Sequence, residues 1–190
     1  MDARQTGPLL RVLIVDDHPM VRQVIRRACE DRALLEIVGE AASGVEAIEK
    51  CVDLQPDVVV LDLGLPDLDG LEVIRRLREM SLPLRILVIT GRDDRATVLS
   101  VLREGADGYL EKTGSVERIG AAIEAVASGT RLFSVEHRQV IQEEIGDVAR
   151  RLGISERTIE SHISRLYQKL AVRTRVQALH RAAGLGLIEL

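Results

Sequence analysis

The chain has no tryptophan, one phenylalanine and two tyrosines, so any core it builds is aliphatic. Cysteine is almost as scarce. Cys29 and Cys51 match no metal-ligand spacing and fall inside helix-like segments. That excludes a disulfide scaffold and a zinc framework, and fits a reducing cytoplasm. No run of 18 apolar residues occurs, which excludes a membrane-spanning helix by length. The opening "MDARQTGPLL" lacks the basic start and apolar stretch of a secretory leader. The expectation is a cytoplasmic protein with no membrane partner. Internal repeats and low-complexity tracts are also missing.

What remains is ordinary in bulk and uneven in detail. Apolar residues make up 46% and charged residues 29% of 190, as in soluble globular proteins of one large or two small domains. The net charge of −4 is split: residues 1–130 carry 16 Lys+Arg against 23 Asp+Glu, and residues 131–190 carry 10 against 7. An acidic front and a basic back suggest two jobs, with a polyanion as a partner for the second.

Through residue 128, apolar strand-like runs alternate five times with helical periods. "RVLIVDD" (11–17), "LEIVGEA" (35–41), "DVVVLD" (57–62), "RILVIT" (85–90) and "GYL" (108–110) are the strands. Helices are predicted over about 19–31, 44–54, 70–80, 95–104 and 116–128. Continuous Val/Ile/Leu strands mean burial on both faces, hence a doubly wound five-stranded parallel sheet, α/β in class. After the break "GTRLFS" (129–134) only helical patterns follow: one around 135–145, "DVARRLGIS" (147–155) closed by Gly153, "ERTIESHISRLYQKL" (156–170), and a last helix from about Thr174. Two helices joined by a short Gly-containing turn form a helix-turn-helix pattern.

Asp16 and Asp17 end the first strand, Asp62 the third and Thr90 the fourth, and Lys112 follows the fifth. In parallel sheets the carboxyl edge carries ligand chemistry, so all five can converge. Three clustered carboxylates repel and need a cation. Mg²⁺ suits them, and Lys112 adds positive charge. A carboxylate held there, beside a lysine and a hydroxyl, can accept a phosphoryl group. Gly91, beside Thr90, leaves room for it. Taken singly, Asp17 before "HPM" reads equally as a helix N-cap with Pro19 in the first turn. Asp62 reads equally as a loop cap, and Lys112 as a surface lysine. A dehalogenase-type phosphatase would need a second Asp two residues after Asp62, where Gly64 stands.

"VLIVDDHPMVR", "VVVLDLGLPDLDGLEVIRRLR", "ILVITG" and "GADGYLEK" resemble the receiver domain of bacterial two-component response regulators. "VARRLGISERTIESHISRLYQKLAVRTRVQAL" resembles the LuxR-type helix-turn-helix of the NarL/FixJ subfamily. The resemblance covers 11–130 and about 146–183. It implies a CheY-like strand order 2-1-3-4-5 and a division into a receiver (1–129), a short linker (130–134) and a small all-α output domain (135–190). It implies Asp62 as phosphoacceptor, and Mg²⁺ held by Asp16, Asp17, Asp62 and the Gly64 carbonyl. Thr90 and Lys112 would bind the phosphoryl group, and Tyr109 and Thr90 would act as switch residues. A sensor histidine kinase and double-stranded DNA are the implied partners, with a homodimer strengthened by phosphorylation. Such a chain is no enzyme in the usual sense, although a receiver catalyses its own phosphoryl transfer and slow hydrolysis.

In the segment 156–170, Ile159, Ile163, Leu166 and Leu170 form one stripe expected to face a core, and Ser155 is a good N-cap. The opposite face offers Arg157, Ser161, Ser164 and Gln168, flanked by Glu160 and Arg165, to a major groove. In the last helix, Val176, Leu179, Ala183 and Leu187 form a stripe suited either to core packing or to pairing of two copies. Two departures from the family stand out. "LFSVEHRQVIQEEIGDVA" is several residues shorter than usual and lacks a Gly/Ser link, so the output domain is abbreviated at its start. Glu160 stands where lysine is common, and an acid weakens phosphate binding. A phospho-switched protein-interaction module that does not bind DNA is the alternative these departures raise.

Overall fold

The computed structural model describes residues 8–92, 94–112, 115–172 and 175–188, without the side chains of Val135, Val176 and His180. The order is β1 (Leu10–Val15), α1 (Pro19–Glu30), β2 (Leu35–Ala41), α2 (Gly44–Leu54), β3 (Val58–Leu61), α3 (Gly70–Glu79), β4 (Arg85–Thr90), α4 (Arg95–Arg103), β5 (Gly108–Glu111) and α5 (Val116–Ala127). These pair as one parallel sheet in the order β2-β1-β3-β4-β5. The helices follow as α6 (Val135–Leu152), α7 (Glu156–Leu170) and α8 (Arg175–Gly184). Thr174, where the last helix was expected to begin, lies outside the described residues.

Alternate residues of the buried strands feed two aliphatic cores. Leu13, Val15, Val59, Leu61, Ile86 and Val88 pack beneath α2, α3 and α4. Val12, Ile14, Val58, Val60, Leu87 and Ile89 pack beneath α1 and α5. Cys29 and Cys51 are buried one in each core, and burial pushes their thiols up to about 11 and about 12, away from reactivity.

The linker is part of the sheet edge. Tyr109 N–H donates to Leu132 O at 2.8 Å and Leu132 N–H to Asp107 O at 3.1 Å. Leu132 bridges Gly108 in parallel, which covers part of the β5 edge. Ser134 then caps α6 in a capping box: its Oγ accepts from His137 N–H, and His137 Nδ1 accepts from Ser134 N–H.

The output segment departs from the sequence reading. The two helices expected around 135–145 and 147–155 are one continuous helix, α6, ending at Gly153 (φ 65°). No proline and no Gly/Ser link interrupts it, and the lone Gly146 costs only about 1 kcal/mol. At Gly146 a Cβ would lie 2.9 Å from Glu156 Oε1, so glycine admits the first residue of α7. Ile159 and Leu170 are buried as expected, but Ile163 and Leu166 are 42% and 49% exposed. The residues that would fold back over them run on as the first half of α6 and pack on α4 instead.

At the amino edge of the sheet, Arg78 is buried and donates to Gly105 O, Leu84 O and Asp107 Oδ2 at 2.9, 2.8 and 2.6 Å. Burial pushes its pKa down against the pull of Asp107. Asp107 also accepts from Arg85 Nη1 and Ile86 N–H. Asp107→Ala strands a buried guanidinium, and urea denaturation of the variant is expected to show a loss of about 3–5 kcal/mol.

Candidate phosphoacceptor site

Three residues of the site are the first residues beyond their strands, and each is held there by one more rung of the parallel ladder. Asp16 N–H donates to Ala41 O at 3.1 Å, Asp62 N–H to Val15 O at 2.8 Å, and Lys112 N–H to Thr90 O at 3.0 Å. Their side chains meet at the carboxyl edge. Lys112 Nζ lies 2.8 Å from Asp16 Oδ2 and 2.8 Å from Asp62 Oδ2. Burial alone would lower the Lys112 pKa, but its hydrogen bonds to the two carboxylates outweigh that and raise it. Asp62 is 5% exposed, and its Oδ1 accepts from Leu63 N–H at 2.8 Å. Thr90 is buried, with its Oγ1 accepting from Arg92 N–H at 3.3 Å. A Cβ on Gly91 would meet nothing within 4 Å, and one on Gly64 would lie 3.4 Å from Asp62 Oδ2. Gly91 therefore leaves open space beside Thr90.

Asp17 is not an N-cap: that position of α1 belongs to His18, with Pro19 following. Asp16, Asp17 and His18 form a group whose ligand atoms lie within 4.8 Å of one another. Asp16 Oδ2 and Asp17 Oδ1 are buried, and they face Lys112 Nζ at 2.8 Å and His18 Nδ1 at 2.5 Å. Paired carboxylate oxygens of this kind fit a hard divalent cation.

Tyr109 is buried in β5, three residues before Lys112, and meets His137 of α6 edge-to-face, with centroids 4.8 Å apart. Arg95 of α4 pairs with Glu143, and Arg103 with Glu144 at 2.6 Å. Both pairs are exposed and contribute little. A cavity of about 600 Å³ lies between Arg78, Arg85 and Leu84 on one side and Leu170, Val172 and Arg181 on the other. The recognition-face residues Arg157, Glu160, Ser161, Ser164, Arg165 and Gln168 are exposed.

Sequence reasoning missed several supports. Arg22 Nη1 donates to Asp16 O at 2.7 Å and its Nε to Glu40 Oε2 at 2.9 Å, tying α1 to the strand end. Asp67 and His137 were also passed over. A residue in a polar loop and a histidine in a capping box carry no distinctive spacing. The helical i, i+4 placement of Arg22 and Arg26 opposite Glu40 was the one signal available.

Comparison with known proteins agrees with this geometry. Residues 12–124 match the response regulator receiver domain family, and residues 144–182 match the bacterial regulatory proteins of the luxR family. The second match begins inside α6, within the shortened segment. The chain is 30% identical over 198 residues to the nitrate/nitrite response regulator protein NarL of Escherichia coli K12, covering 88% of this chain and 92% of that one. It is 33% identical over 197 residues to NarP of the same organism, with the same coverage. Its fold is similar to a LuxR-family two-component response regulator from Aurantimonas sp. SI85-9A1, at 38% identity and TM-score 0.66, covering 72% of this chain and 97% of that one. Among the described residues no helix is long and apolar enough to cross a membrane. A receiver whose strand ends gather Asp16, Asp62 and Lys112, followed by a LuxR-type helix-turn-helix, places this chain among the two-component response regulators of the NarL/FixJ subfamily, which are transcription regulators and not classical enzymes.

Proposed function

We propose that Asp62 is the phosphoacceptor of this response regulator and that its phosphorylation state is passed through β5 to α6. The observation that carries this is the Lys112 ammonium bridging Asp16 and Asp62 at the carboxyl edge. An Asp62 carboxylate oxygen forms the new O–P bond as the N–P bond of a phosphohistidine on a sensor kinase breaks, and the electron pair leaves with the imidazole nitrogen. Lys112 and the Thr90 hydroxyl hold the phosphoryl oxygens. Asp16, Asp17, Asp62 and the Gly64 carbonyl would hold Mg²⁺, which when bound offsets the negative charge gathered there. The same groups support slow hydrolysis of the acyl phosphate. Asp62→Asn is expected to abolish labelling by acetyl phosphate with Mg²⁺ while the circular dichroism spectrum stays unchanged. Undiminished labelling would overturn the assignment.

The division into receiver (1–129), linker (130–134) and output domain (135–190) then has a working joint. When Thr90 turns toward a phosphoryl group, Tyr109 follows, and its contact with His137 changes at the capped start of α6. The pairing of Leu132 with β5 supports this route, because it fixes the linker to Tyr109 itself. His137→Ala is expected to shrink the ratio of DNA affinities measured with and without phosphorylation. Ser134→Ala, which removes the cap but leaves the rings, should preserve that ratio. An equal loss in both would assign the effect to capping alone.

The exposed recognition face of α7 supports reading of double-stranded DNA through Arg157, Ser161, Ser164, Arg165 and Gln168. Leu187, expected on the last stripe, lies beyond α8, which ends at Gly184; Leu179 of α8 is exposed, which supports pairing of two phosphorylated copies over two half-sites. The side chain of Val176 lies outside the described residues. Glu160 sits on the flank of the face, where it repels phosphates. Glu160→Gln is expected to tighten binding to specific and random DNA alike and to steepen the salt dependence slightly. If it instead weakens specific binding by about 1–3 kcal/mol, Glu160 reads a cytosine amino group.

A further inference from the structure

We propose that Asp67 is a positioning residue for the metal edge of the site, a reading that rests on Asp62 as phosphoacceptor. Asp67 lies in the loop between β3 and α3, five residues after Asp62 and three after Gly64. Its carboxylate does not point at the acidic pocket. It reaches across the molecule to the start of α2, where Oδ1 accepts from Gly44 N–H at 2.7 Å and Oδ2 from Val45 N–H at 3.0 Å. Oδ1 also accepts from Leu68 N–H at 2.8 Å, closing the loop on itself. The bonds from Val45 and Gly44 hold its carboxyl down at about 2, so it remains a carboxylate over the whole physiological range.

Helix α2 does not need this cap. Ser43 is its N-cap and accepts from Glu46 N–H at 3.3 Å, and Glu46 Oε2 accepts from Ala42 N–H at 2.8 Å. The carboxylate of Asp67 accepts from further amides of the first turn, which are ready donors because they lack intrahelical partners. What it adds is attachment of the loop. The apposition is close: a Cβ on Gly44 would lie 2.7 Å from Leu68 Cβ and 3.1 Å from Leu68 O. The far end is fixed as well. Gly70 N–H donates to Leu63 O at 3.1 Å, and Asp69 caps α3 by accepting from Leu71 N–H at 2.9 Å. Between these anchors run Gly64, Leu65 and Pro66. Gly64 is exposed, with no side chain to fix it. Leu65 packs on the core from one side, and Asp67 is the nearest hydrogen-bonded anchor beyond it, so that together with Leu65 it sets where the Gly64 carbonyl stands relative to Asp16, Asp17 and Asp62.

The test uses the full chain and two variants. Asp67→Asn keeps the size of the side chain but leaves one acceptor oxygen for two α2 amides. Ser43→Ala removes the helix's own cap and leaves the loop attached. Mg²⁺ binding is measured by calorimetry, thermal midpoint by circular dichroism, and acetyl phosphate labelling as a function of Mg²⁺. Asp67→Asn is expected to raise the Mg²⁺ dissociation constant about 3–10-fold, less than the ~10–100-fold typical of a group bonded directly to a metal ligand. Labelling should return to the wild-type rate at saturating Mg²⁺. Ser43→Ala should lower the thermal midpoint without moving Mg²⁺ affinity. An unchanged dissociation constant in Asp67→Asn, or an equal rise in both variants, overturns the positioning role and leaves a structural cap. Failure of the wild-type chain to bind Mg²⁺ at all would instead bring down the reading of the acidic pocket itself.

Discussion

The ammonium of Lys112 is the contact on which the arrangement of the site depends. Asp16 and Asp62 end neighbouring strands, β1 and β3, and the parallel register leaves their carboxylates side by side in a buried place. Two such charges repel, and a cation between them offsets the repulsion. Lys112 comes from β5, two strands away from β3, and its reach closes the sheet edge into a pocket. The backbone prepares this meeting. Each of the three residues takes one extra ladder bond past its strand, so three side chains converge without a loop being asked to hold them. The two aliphatic cores beneath keep the strands from shifting register.

The output half is built on a different economy of contacts. Its apolar surface exceeds what its three helices can cover, because the length that would form a separate covering helix is spent in α6. Ile163 and Leu166 stay exposed beside Leu152 and Ile154. Among the described residues, the ties to the receiver include the ring pair of Tyr109 and His137, the pairing of Leu132 with β5, the packing of α8 on α3 and of α6 on α4, and two ion pairs. The two ion pairs are exposed and contribute little.

Much of this was legible in the sequence. Strands buried on both faces announce themselves as unbroken Val/Ile/Leu runs, so the sheet and the meeting of Asp16, Asp62 and Lys112 followed from where the runs stop. Ser155 and Gly153 marked the ends of helices correctly because caps are local chemistry. Two things escaped. The fusion of two helices into α6 did, because Gly146 reads as a breaker until Glu156 is seen against it. The half-exposed stripe of α7 did as well, because periodicity reveals which side is apolar and says nothing of whether another helix is left to cover it. Asp67 and His137 act across long stretches of sequence, and such partners have no signature along the chain.

The continuity of α6 has a geometric consequence. Eighteen residues at about 1.5 Å each make a rod of roughly 27 Å that runs from the contact with Tyr109 of β5 to the turn before α7. A loop between two helices absorbs insertions and deletions, whereas a rod transmits them. One residue added within α6 would swing α7 by about 100° around the rod and advance it by about 1.5 Å. The facing of the recognition surface relative to the receiver is therefore written in a residue count, and the segment 135–152 can vary in composition far more freely than in length.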